Sequence, residues 1–294
     1  LYVPKGEETS LARTLVWVER DGTERPLVED WNGIFGGVAL SPQGERLAVT
    51  AGLPEDDEWH IWIFSLQGGM PFQLTFEGSA NNFPTWSPDG QRVTFHSNRS
   101  GKVQLYSKVW DGSAPAEPVF PTERETWEGQ WLPDGETLIV AQAAEADGVG
   151  MDLLIYRPGG GSPPDTFLAT EANEHSPTVH PNGTWVAYVS DESGEPEVWV
   201  RPFPGPGERR RVSQGVGWGP VWSHGGGEIF YLGSEGMVVA EVSTSPSFGV
   251  RSQRTLFPDE AYYHYRWTIH ATYDVSPDDQ RFLMIRWRQS QVSR

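Results

Sequence analysis

The chain of 294 residues is only 37% hydrophobic, yet 14 Trp, 13 Phe and 9 Tyr bring enough area apiece to fill a sizeable core. A formal net charge of −18 repels phosphate backbones and argues against nucleic acid as a partner. The absence of cysteine excludes disulfides, thiolate catalysis and cysteine metal sites; no apolar run nears the roughly 20 residues that span a bilayer, so no membrane insertion of this segment is expected.

No signal-peptide pattern precedes the first strand, and a chain starting at Leu1 reads as a mature product or an excised domain. Residues 14–19 form the first predicted strand, Asp21-Gly22 a turn, and residues 25–28 a second short strand. Next comes the phrase Ser41-Pro-Gln-Gly44, which returns as Ser87-Pro-Asp-Gly90, Leu132-Pro-Asp-Gly135, His180-Pro-Asn-Gly183, Ser223-His-Gly-Gly226 and Ser276-Pro-Asp-Asp279. The intervals are 46, 45, 48, 43 and 53 residues, a period that points to propeller blades of four strands each.

An apolar residue stands directly before each phrase: Leu40, Trp86, Trp131, Val179, Trp222 and Val275. After each phrase two apolar residues recur at a spacing of two, from Leu47/Val49 through Val93/Phe95, Leu138/Val140, Val186/Tyr188 and Ile229/Tyr231 to Phe282/Met284. That is strand periodicity, and the Pro-Asp-Gly chemistry supplies the hairpin between the inner strand and the second. Third strands are predicted at 61–64, 103–106, 153–156, 198–200 and 238–240, with a shorter fourth strand such as 72–75 or 167–169. After the last phrase there is room for only one strand, 281–287. Residues 14–28 therefore complete the sixth blade and cover both open sheet edges. The fold class is all-β: one six-bladed β-propeller over 1–294, its ring closed by the N-terminal strands.

The stretch Phe83-Pro-Thr-Trp-Ser-Pro-Asp-Gly-Gln-Arg-Val-Thr-Phe-His-Ser-Asn-Arg-Ser-Gly101 resembles the repeat of TolB-type propellers. It lacks the Gly-His and Trp-Asp marks of WD-repeat blades. Three further phrases resemble the C-terminal propeller of bacterial receptor-like serine/threonine protein kinases. They are Arg13-Thr-Leu-Val-Trp-Val, residues 185–203 (Trp185-Val-Ala-Tyr-Val-Ser-Asp-Glu-Ser-Gly194 with Val198-Trp-Val-Arg-Pro-Phe203), and residues 273–285. The resemblance implies an extracytoplasmic sensor or a TolB-type protein scaffold, and no kinase activity. The same blade phrase occurs in propellers of prolyl-oligopeptidase-type enzymes, but the Gly-x-Ser-x-Gly elbow of their hydrolase domain is missing.

Where a ligand could sit follows from topology. Loops entering the inner strands share one face with the loops between second and third strands. The first set offers Trp31, Asn32, Phe35, Asn82, Phe83, Trp127, Glu128, Glu174, His175, Trp218, Arg266, Trp267 and His270. The second set is acidic, with 55–58, Glu145, Asp147, Asp191, Glu192 and Glu195. An aromatic mouth ringed by carboxylates suits a protein, a peptide or a cationic small molecule. The competing reading is that Trp31, Trp127, Trp218 and Trp267 plug the channel and the blade interfaces.

An enzyme is the alternative class: a lactonase- or lyase-like propeller with a channel ion. His175 and His270 meeting across the channel, or a Ca²⁺ on Asn81, Asn82, Asn173 and Glu128, would supply its metal. No spacing along the sequence supports either, no phosphate-binding glycine motif is present, and neither catalytic residues nor a cofactor are predicted. The run Arg209-Arg210-Arg211 reads as a solvated strand edge, and Asn98 and Asn182 match the short glycosylation pattern.

Overall fold

A computed structural model describes residues 12–28, 31, 33–52, 58–120, 122–144, 150–158, 163–264 and 270–288. The first strands are β1 (Arg13–Glu19) and β2 (Glu24–Pro26). Blade 1 holds β3 (Ile34–Leu40), β4 (Arg46–Gly52), β5 (Trp59–Ser65) and β6 (Phe72–Gln73). Blade 2 holds β7 (Asn81–Trp86), β8 (Arg92–Ser97), β9 (Gln104–Val109) and β10 (Glu117–Pro118). Blade 3 holds β11 (Thr126–Trp131), β12 (Leu138–Ala143), β13 (Met151–Tyr156) and β14 (Asp165–Leu168). Blade 4 holds β15 (Glu174–Val179), β16 (Trp185–Ser190), β17 (Glu197–Pro202) and β18 (Arg210–Arg211). Blade 5 holds β19 (Trp218–Trp222), β20 (Glu228–Leu232), β21 (Met237–Ser243) and β22 (Gly249–Phe257). The chain ends with β23 (Asp274–Val275) and β24 (Arg281–Trp287).

Each blade is an antiparallel sheet of four strands, and the sixth has the order β2-β1-β24-β23. The ring thus closes as the sequence predicts: β1 pairs with β24 from Arg13↔Trp287 to Glu19↔Arg281. Leu15, Val16 and Val18 are almost fully buried. Val16 and Val18 pack with Phe230, Phe282 and Met284, whereas Leu15 packs with Phe35, Leu47 and Ile285. The two faces of one strand therefore join blade 6 to blade 5 and to blade 1. Every such side chain taken from water contributes about 1.5–3 kcal/mol.

The recurring phrase is the hairpin between inner and second strands, and its fourth residue explains its glycine. Gly44, Gly90, Gly135, Gly183 and Gly226 all adopt φ between 67° and 74°, a region that penalises a Cβ. A Cβ on Gly44 would also lie 2.7 Å from Pro277 Cγ of the sixth hairpin, so neighbouring tips interlock. Asp279 takes the same place at φ 59°. Its carboxylate accepts the backbone N–H of His224 at 2.7 Å and of Gly225 at 3.1 Å, which ties hairpin 6 to hairpin 5.

The tryptophan ahead of three phrases staples blades together. Trp86 Nε1 donates to Ala39 O (2.9 Å), Trp131 Nε1 to Thr94 Oγ1 (3.0 Å) and Trp222 Nε1 to Thr178 O (3.3 Å). Each bond reaches the preceding blade.

Two features depart from the sequence reading. The fourth strand is two to four residues long in the other five blades, but β22 has 9 residues. The stretches ahead of the inner strands, read as loops, already belong to the sheets: Asn81, Thr126, Glu174 and Trp218 each open a strand.

Candidate functional site

The inner strands do not run straight to their hairpins. Register shifts interrupt β3 between Phe35 and Val38, β7 between Asn82 and Thr85, and β11 between Thr126 and Glu128. Others lie in β15 between His175 and Thr178, and in β19 between Trp218 and Val221. Such bulges re-aim side chains next to functional openings. Phe83 (φ 55°), Ser176 (φ 51°) and Gly219 (φ 54°) sit within them in the left-handed region, each followed by proline. Proline in mid-strand marks an interrupted ladder. Pro84, Pro177 and Pro220 are therefore the sequence signal of these bulges.

Past the bulges, toward the hairpins, the inner strands surround a central cavity of about 330 Å³. Its walls are prolines and tryptophans, chiefly Pro42, Pro88, Pro133, Pro181, Trp131 and Trp222. Glu128, His270 and Asp274 bring titratable groups to the lining together with His224, among hydroxyls and amides such as Ser176 and Gln130. The cavity is thus lined on the hairpin side of the bulges, at the strand ends opposite the loops named from sequence. Position in the sequence could not decide this, because the bulges determine which side chains turn inward.

Two carboxyls dominate its electrostatics, buried Glu128 and half-buried Asp274. Glu128 is 4% exposed and its Oε1 lies 2.6 Å from His270 Nδ1, while Oε2 has no hydrogen-bond partner among the described residues. Burial raises its pKa above the usual carboxylate range, opposed by His270. Asp274 accepts the N–H of Leu40 in the next blade and of Val275, both at 2.7 Å. Its carboxyl is likewise pushed up by burial and held back by those two donors.

Beneath Glu128 and His270 the rings form a chain. Phe83 stacks on His270 at 5.0 Å and meets His96 edge-on at 4.9 Å, and His96 meets Trp127 edge-on at 5.8 Å. His96 Nδ1 lies 3.1 Å from Trp127 O, and burial pushes its pKa down to about 4. His96 was not singled out from sequence because it sits in a second strand, where alternation predicts only burial.

Among the residues singled out from sequence, Phe83, Trp127, Glu128 and His270 are thus brought together. Trp31 and Phe35 pack on each other in the core between blades 6 and 1. Asn82 pairs with His96 in the ladder, and Trp218 with Leu232. Glu174 accepts a hydrogen bond from Thr170 Oγ1, and His175 Nδ1 lies 3.0 Å from Ser176 Oγ. Asn32, Arg266 and Trp267 lie outside the described residues, as do 55–57, Glu145 and Asp147.

Among the potential Ca²⁺ ligands, Asn81 donates to Trp59 O and accepts from Arg99, whereas Asn173 donates to Asp191. Both side chains serve turns of their own sheets or the neighbouring strand. Among the described residues no three His, Asp or Glu side chains form a metal-ligating group, and no helix is long and apolar enough to cross a membrane.

A closed ring of six antiparallel blades around a proline- and tryptophan-walled cavity defines the class: a six-bladed β-propeller. The chain belongs to the TolB β-propeller family, whose domain model matches residues 12–158. It is 27% identical over 164 residues to the Tol-Pal system protein TolB of Francisella tularensis, a match covering 55% of this chain and 37% of that protein. The chain therefore spans little more than a third of the length of the curated relatives it matches. A structure assigned to TolB of Agrobacterium tumefaciens superposes with a TM-score of 0.70 at 17% identity, covering 95% of this chain and 99% of the other. TolB from Acinetobacter baumannii gives 0.62 at 18% identity, with coverages of 84% and 67%. Identities this low show the shared fold alone.

Proposed function

We propose that the chain is a non-catalytic binding propeller that takes a cationic, peptide-like segment of a partner protein into its central cavity. The observation that carries this reading is the pairing of an apolar Pro/Trp wall with two carboxyls, half-buried Asp274 and buried Glu128, the latter keeping an oxygen unpartnered among the described residues. A guanidinium or ammonium entering the cavity would satisfy that oxygen, and the flat rings and prolines suit an extended backbone. The volume lies at the lower end of the range for small-ligand sites, which favours a single side chain with its flanking peptide units.

Kinship with Tol-Pal system TolB supports a protein partner and a place outside the cytoplasm. The finer reading, a sensor propeller carried by a receptor-like kinase, rests on the three phrases quoted from the sequence.

The test is titration with a blocked tripeptide, acetyl-Gly-Arg-Gly-amide, followed by tryptophan fluorescence. Saturable binding to the wild type that weakens at least tenfold in Glu128→Gln supports the reading. Equal binding of acetyl-Gly-Gly-Gly-amide, or no change in Glu128→Gln, contradicts it.

A further inference from the structure

The outer rim of blade 5 differs from every other rim of the ring. Outer strands of the other five blades are two to four residues long, the usual way of denying a template to foreign strands. The 9-residue β22 is the edge of its sheet, and from Gly249 to Thr255 its side chains are exposed apart from half-buried Gln253. Register shifts near Val238 and Val242 bracket a regular stretch in which Arg254, Gln253 and Ser252 pair with Val239, Ala240 and Glu241. The outward backbone groups of that stretch meet no other strand among the described residues.

Charge sets the rim apart as well. In a chain of net charge −18, Arg209, Arg210 and Arg211 lie at the edge of blade 4 and Arg251 and Arg254 on β22, with Arg211 and Arg251 lining one groove. Arg209, Arg210 and Arg211 are matched by Glu192, Glu208 and Glu197. Arg251 and Arg254 form no ion pair with the described residues. Between the two edges lies a groove of about 260 Å³ lined by Arg211, Ser213, Val250, Arg251 and Gln253. Its floor is fixed by Gln253 Nε2, which donates to Val212 O across the blade boundary.

We infer that β22 is a second binding site, at which an acidic, extended segment of another protein adds a fifth strand to blade 5, its carboxylates meeting Arg251 and Arg254. Strand addition draws affinity from main-chain hydrogen bonds and specificity from alternate side chains. A second copy of this chain is the less suitable occupant, because two bodies of −18 repel. The rim site lies away from the central cavity and stands independently of it.

The experiment uses a labelled, blocked nonapeptide of alternating Glu and Thr, with fluorescence anisotropy read at low salt. Saturable binding is expected, at least tenfold weaker for Arg251→Glu/Arg254→Glu and several-fold weaker for Arg251→Gln/Arg254→Gln, with both variants melting like the wild type. Substituting Lys for Glu in the peptide, or N-methylating alternate residues, should abolish binding. The inference is overturned if the N-methylated peptide binds as well as its parent, which would mean charge attraction without strand pairing. It is equally overturned if the charge-reversed variant binds unchanged, or if sedimentation shows a dimer of this chain that Arg251→Glu/Arg254→Glu dissolves.

Discussion

His270 lies nearly parallel to Phe83, ring centroids 5.0 Å apart and planes 24° apart, while its Nδ1 reaches Glu128 at 2.6 Å. One imidazole thereby joins blades 2, 3 and the last connection, and fixes the carboxylate that faces the cavity. Phe83 can serve as its platform because the bulge turns it inward at φ 55°, a conformation costing a non-glycine residue on the order of 1–2 kcal/mol. Strain gathered at a central opening is what a prepared binding site would show.

His96, on the other side of Phe83, makes stability depend on pH. Its folded pKa is about 4 against 6.5 unperturbed, so the unfolded chain binds the proton first. Stability is present in full above pH 6.5 and falls as pH drops toward 4, by roughly 3 kcal/mol for this group. Urea midpoints at pH 7.5 and 4.5 should differ clearly in the wild type and less in His96→Asn. An identical difference in both proteins would remove His96 as the cause. Asp21, Asp89 and Asp134, whose pKa values are lowered, act in a lower window, below about 3.8.

Trp86 should separate packing from its staple. Trp86→Phe keeps most of the ring but leaves Ala39 O without its donor, at a cost of about 1–2 kcal/mol. Trp86→Ala also empties the interface, at about 3–5 kcal/mol. Chemical denaturation of both variants checks the order; a Trp86→Phe protein as stable as the wild type would mean that the hydrogen bond contributes nothing, and equal losses in both that the ring packing does not.

Asp279 predicts an unusual ranking. Asp279→Ala keeps the left-handed backbone and loses the bonds to His224 and Gly225, so it should destabilise by roughly 2–3 kcal/mol. Asp279→Gly relieves the backbone and should cost less. Thermal unfolding in which the glycine variant melts below the alanine variant would contradict this.

Ring closure gives the largest effect. Deleting residues 1–28 removes β1 and β2, uncovers the β24 edge and discards Leu15, Val16 and Val18 from two interfaces. At about 1.5–3 kcal/mol per side chain the loss rivals the total stability of an ordinary domain, about 5–15 kcal/mol. Calorimetry should find no cooperative transition; a truncated chain that melts like the full one would break the closure.

Six blades and their closure were legible in sequence because hairpin chemistry is local: Pro-Asp-Gly needs only its own backbone geometry to mark a turn. The second-strand pairs such as Val93/Phe95 were legible for a similar reason, since alternation follows from the pleat. The bulges were harder, because Phe83 and Ser176 carry no glycine and only the prolines after them betray a break. That the cavity is lined on the hairpin side of the bulges was not legible at all. That placing depends on rings from blades 2 and 3 and the last connection, Phe83, His96, Trp127 and His270, meeting one another. The length of β22 was missed because GVRSQRTLF contains no alternation of apolar and polar residues.

A crystal structure of the protein with acetyl-Gly-Arg-Gly-amide bound puts the account to its plainest test. The guanidinium should appear against Glu128 Oε2, with the peptide between Trp131 and Trp222 on the hairpin face. Peptide density at the opposite strand ends, beside Trp218 and Asn82, with the central cavity holding none, would contradict it.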